Sequence, residues 1–159
     1  MIAAALLAFA PPAAADDFDT CYEETGDVAI AACDRAIASG RYSGTSLSRI
    51  YNNRGAEYRK KAEYARAIAD SSRAIELDPG NTPAYAQRGA AYYKANQFDL
   101  AIADFDRAVR RDSNYAFAIY LRGLAKRRQG DTGGAETDIA AATALQANIA
   151  AVVKRFVGD

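Results

Sequence analysis

Two cysteines and three recurring arginine–aspartate pairs are the residues of this chain whose types and spacing could do chemistry, and no histidine is present to assist them. Cys21 and Cys33 stand twelve residues apart, which is wrong for a CxxC redox motif or a zinc knuckle. An even pair with no leftover thiol suits a disulfide in an oxidising compartment. Without histidine there is no Ser-His-Asp or Cys-His arrangement, and no glycine-rich loop has phosphate-binding spacing. Acids such as Asp104 and Asp106 fall at i and i+2, on different helix faces. The chain therefore reads as a non-enzyme that needs neither metal nor cofactor. Arg54, Arg88 and Arg122 each precede a glycine, and Asp70, Asp104 and Asp138 follow them sixteen residues on. One such pair would suggest catalysis, but three at a constant step read as structural ion pairs within a repeated unit, holding orientation more than adding stability.

The elements that position these pairs follow from the period. Gly55, Gly89 and Gly123 are 34 residues apart, and other columns keep the step: Tyr51, Tyr85 and Ile119; Tyr58, Tyr92 and Lys126; Ala67, Ala101 and Ala135; Ala74, Ala108 and Ala142. Each unit reads as two amphipathic helices, with glycine and alanine where antiparallel helices approach closely and aromatics filling the gaps between pairs.

In these columns the chain resembles the tetratricopeptide repeat family, and specifically a small exported protein of bacterial type. Residues 48–81 keep Tyr51, Gly55, Tyr58, Tyr64, Ala67, Ala74 and Pro79 of its signature; residues 82–115 keep all but the closing proline, replaced by Ser113. Residues 116–147 depart further, with Lys126, Thr132 and Ala147 at signature positions, as a terminal repeat can. The resemblance implies an all-α fold, a right-handed superhelical solenoid of antiparallel helix pairs.

Upstream, Ala29 to Ile37 matches Ala101 to Val109 at six of nine positions, so residues 16–47 read as a degenerate N-terminal unit whose short first helix centres on Phe18 to Tyr22. A Cys21–Cys33 bridge would cap it, worth roughly 3 kcal/mol on the chain-entropy estimate. The spacing from Ala29 to Ala67 exceeds the period by four residues, which suggests an enlarged loop over Ser39 to Ser48. Residues 148–159 read as a capping helix that Asn148 starts and whose stripe Ile149, Val152, Val153 and Phe156 closes the solenoid, leaving Lys154 and Arg155 in water. Residues 1–15 carry no charge, run apolar from Ile2 and end in small residues, which reads as a signal peptide cleaved near Ala15 and hence a periplasmic or secreted location. That run is shorter than the roughly 20 residues that cross a bilayer, so no integral span is expected.

The resemblance also implies that the first helix of each unit lines a concave groove for a peptide. Its positions here are Arg49, Asn52, Arg59 and Lys60, then Gln87, Tyr93 and Lys94, then Phe117, Tyr120, Leu124, Arg127 and Arg128. They predict an apolar-aromatic floor towards the third unit and a basic rim of Arg59, Lys60, Lys94, Arg127 and Arg128, suited to a protein or peptide that is acidic with apolar anchors. One branch of the family grips chaperone tails with a Lys, Asn, Asn, Lys and Arg clamp. The matching positions hold Asn52, Ala56, Gln87, Phe117 and Leu121, and only Gln87 is chemically close, so that specificity is not implied. The alternative to a peptide-binding module is a structural, self-assembling envelope protein whose groove or ends pack against another copy. Twenty basic residues balance twenty acidic ones, and with export this argues against nucleic acid.

Overall fold

Apolar residues recurring at steps of three and four give helix after helix, and each short connection returns the chain antiparallel to its predecessor. The computed structural model describes residues 17–157, so the signal peptide expected over residues 1–15 lies outside the described residues. The helices are α1 (Asp17–Glu23), α2 (Gly26–Ala38), α3 (Gly44–Lys60), α4 (Tyr64–Leu77), α5 (Thr82–Lys94), α6 (Phe98–Arg111), α7 (Ala116–Arg128), α8 (Thr132–Leu145) and α9 (Ile149–Val157). They form a helical-repeat solenoid, with α3–α4, α5–α6 and α7–α8 as its regular pairs.

Within each pair the glycine column sets the spacing. A Cβ on Gly89 would stand 2.8 Å from the Phe105 ring, and one on Gly123 would stand 3.0 Å from the Ala135 carbonyl oxygen. Ala67, Ala101 and Ala135 are buried opposite them. The turn inside each pair also repeats: Ala62, Asn96 and Gly130 adopt φ of 60°, 59° and 89°, and the next amide reaches back to Tyr58, Tyr92 and Lys126 at 2.9 to 3.0 Å. This left-handed helix ending suits glycine and asparagine, but Ala62 carries a Cβ that costs about 1–2 kcal/mol there.

The arginine column does more than join the two helices of a unit. Arg54, Arg88 and Arg122 each hold both oxygens of Asp70, Asp104 and Asp138 at 2.6 to 2.8 Å. Each also reaches back to the preceding unit: Arg54 to Asp34, Arg88 to Ser72 and Arg122 to Asp106, at 2.6, 3.0 and 2.7 Å. These hydrogen bonds to Asp70 and Asp104 raise the pKa of Arg54 and Arg88 despite their burial. In the third unit Lys126, which replaces an aromatic, gives a second cation to Asp138 at 2.8 Å. Burial opposes the charged form of Asp138, but Arg122 and Lys126 outweigh it and hold the carboxyl below its ordinary value.

Successive first helices (α1, α3, α5, α7) touch one another directly, whereas second helices meet mainly the first helices on either side. The stack is therefore tighter on its first-helix side. At the N-terminal end Cys21 and Cys33 form a disulfide with Cα atoms 4.9 Å apart, joining α1 to α2. Phe18 packs on Tyr42 and Tyr22, and Asp17 pairs with Arg35 at 2.8 Å.

The four surplus residues before Ser48 do not enlarge a loop. They extend α3 by one turn, to 17 residues against 13 in α5 and α7. Helix satisfies backbone groups that a longer loop would leave to water, and Leu47 gives the added turn a half-buried apolar side chain.

Candidate functional site

The face built by α3, α5 and α7 carries the residues expected to bind a ligand, but the structure assigns them unequal roles. Arg49 stacks over the rings of Phe18 and Tyr22, with its guanidinium carbon 5.6 and 5.1 Å from their centroids, so the short α1 occupies it. Lys60 is exposed and paired with Glu57, a buried acid that also accepts from the Gly26 amide at the start of α2. Tyr93 is half-buried edge-on to Phe98, at 5.8 Å. Arg128 lies over the same Phe98 ring and donates to Asn96, which ties it to the α5–α6 turn. Lys94, Tyr120 and Leu124 are half-buried, and Arg127 is exposed.

Arg59 is the main correction. Expected on a basic rim, it is 4% exposed, and burial lowers its pKa. Its Nε donates to Gln87 on α5 at 3.2 Å, and its Nη1 donates to the Phe156 carbonyl on α9. Its Nη2 is buried without a partner, as is Oδ1 of Asn52 on the same helix. A charge-assisted contact to a guanidinium this enclosed is worth more than one made in water.

The helix that covers it is not an outward cap. At the regular junctions an incoming first helix packs mainly on the second helix before it, whereas α9 packs more on α7 than on α8. Ile149 and Val153 are buried against the central core, while Val152 and Phe156 turn towards α5 and α7. Phe156 meets Phe117 edge-on at 5.1 Å. A cleft of about 210 Å³ remains between them, lined by Gln87, Tyr115, Phe117, Val152 and Phe156. Burial raises the pKa of Tyr115 beside it, with Asp112 adding to the effect. Asn148 precedes α9, but its side-chain oxygen is taken by Gln146 at 3.0 Å.

Two tetratricopeptide repeat models match the chain, over residues 48–81 and 82–115. Residues 48–115 therefore match tetratricopeptide repeats. The first such domain of Spaghetti (RPAP3), solved with the HSP90 peptide SRMEEVD, is similar in fold: 22% identity, 74% of this chain and 95% of that one, TM-score 0.65. Its second domain, with the same peptide, is 29% identical over 62% of this chain and 92% of that one, TM-score 0.61. The domain of Arabidopsis OM64 is 23% identical over 70% and 95%, TM-score 0.64. No curated protein matches the chain at the sequence level. Tetratricopeptide domains are generally non-enzymatic protein-interaction scaffolds. No helix among the described residues is long and apolar enough to cross a membrane.

Proposed function

We propose that the chain is a non-enzymatic interaction module that holds a peptide segment of a partner protein against the face of α3, α5 and α7. The observation that carries this reading is the enclosed Arg59 at the floor of that face, unpaired at Nη2 and next to the aromatic cleft at Gln87 and Phe117. An acidic peptide with an apolar anchor matches both parts, and the two Spaghetti domains of similar fold bind an acidic peptide. The cleft supports the aromatic floor, and Arg127, Lys94 and Lys60 supply the rim. Export to a periplasmic or extracellular compartment fits the Cys21–Cys33 bridge, which persists where thiols are oxidised.

Selection from a random peptide library on the immobilised full chain tests this. Selected peptides should be acidic with an aromatic or aliphatic anchor, and salt should weaken them. The double variant Arg127→Glu/Arg128→Glu should slow association, while Tyr93→Ala should speed dissociation with little change in salt dependence. If these variants bind the selected peptides as the parent does, the site lies elsewhere.

A further inference from the structure

The tip of α9 lies where that peptide would bind, and it fits poorly. Phe156 reaches across 97 residues of sequence to Arg59, giving its carbonyl to Nη1 while its ring stands 5.6 Å from the guanidinium carbon. Yet the same Phe156 is 41% exposed, in contrast to Ile149 and Val153 at 0% and 2%. The root of the helix is buried, whereas the Phe156 side chain at its tip stays open to solvent on one side. Among the described residues the tip offers Arg59 one neutral oxygen. A carboxylate would present two, matching the planar fork of Nη1 and Nη2 and adding its charge to the one that Glu57 already brings near the guanidinium. Arg155, adjacent in sequence, brings a further cation rather than an acid.

We propose that the tip of α9 is a built-in, displaceable occupant of the groove, and that the partner segment displacing it carries an aromatic residue with a carboxylate directly beside it. This rests on the groove reading above, and Arg59 lies outside the five positions that match the chaperone-tail clamp. The aromatic ring takes the place of Phe156 against Phe117, and the carboxylate takes both terminal nitrogens of Arg59. Phe156 holds the site closed against ligands that offer the ring alone.

Three synthetic probes test it on the full chain: acetyl-Val-Ala-Ala-Phe as the free acid, the same peptide as the amide, and the amide extended by one Asp. Binding is followed by amide chemical shifts at Gln87 and Phe117. The free acid should bind the Phe156→Ala chain at least about fivefold tighter than it binds the parent, and at least about fivefold tighter than the amide binds that variant. Arg59→Gln should erase the difference between acid and amide. A gain with the Asp extension assigns the carboxylate to a side chain, and no gain assigns it to a chain terminus. Val152→Ala, which loosens the tip without altering Phe156 or Arg59, should shift binding in the same direction as Phe156→Ala. Equal binding by parent and both variants overturns the occupant, and equal binding of acid and amide overturns the carboxylate, while the groove stands in either event. If neither the probes nor library-selected peptides perturb Gln87 and Phe117, the groove reading falls as well.

Discussion

At its N-terminal end the stack is closed by α1, seven residues tied covalently to α2, while at its C-terminal end α9, nine residues, is rooted by Ile149 and Val153 with its tip over Arg59. Neither helix is long enough to persist alone, since isolated helices below about 12–15 residues are marginal in water. The disulfide keeps α1 near α2 whatever its side chains do, and Asn53 and Arg49 add polar and aromatic contacts from α3. The last helix has no covalent tie among the described residues, so its tip can leave without unfolding what lies beneath. A covalent end is a fixed cap, and a packed end can be exchanged for a partner.

The largest effect expected is at the fixed end. Replacing both cysteines, Cys21→Ser with Cys33→Ser, should cost about 3 kcal/mol, read as a lower urea midpoint with α9 unaffected. Intact mass of the parent under non-reducing conditions should show no free thiol. Gly89→Leu, midway between the ends, should cost roughly 1–3 kcal/mol because the new side chain meets the Phe105 ring, and it should not distinguish one end from the other. Acid provides a milder probe of the α7–α8 platform beneath α9. The folded pKa of Asp138 is depressed, so its contribution is complete above the usual carboxylate range and is lost as pH falls through the folded value. The melting temperature of the parent should therefore drop in acid, and Asp138→Asn should flatten the drop. The smallest effect has the opposite sign: Ala62→Gly relieves the left-handed turn and should stabilise by about 0.5–1 kcal/mol after the added chain entropy is counted. A loss of stability there would show that the Ala62 turn is unstrained.

The repeats were legible because each column recurs. Gly55, Gly89 and Gly123 with the alanines opposite them announce closely packed pairs, and the Arg–Asp step of sixteen announces the bond within a unit. The second arm of each arginine was harder to see. Its partners Asp34, Ser72 and Asp106 differ in type, and the extra turn of α3 shifts the first of them out of the 34-residue register. That same turn was hidden because glycine and serine over 39–48 look like loop, although Leu47 is half-buried within it. Which residues share the first-helix face was legible, but not which of them are covered. The apolar stripe of α9 is plain in the sequence, yet a stripe does not say whether it seats on α8 or turns back on α7. Arg59 consequently looked like a rim charge when it is a covered one.

Amide hydrogen exchange on the oxidised full chain tests the contrast between the two ends most directly. Exchange reports local opening free energies helix by helix. Amides at the α9 tip, from Lys154 to Phe156, should exchange roughly a hundredfold faster than those of Leu121 to Ala125 in α7 beneath them, and Phe156→Ala should accelerate the tip alone. Amides of α2 around Cys33 should stay as protected as those of α7. Exchange of the α9 tip at the same rate as α7, unchanged by Phe156→Ala, would contradict the account and make α9 as permanent a cap as α1.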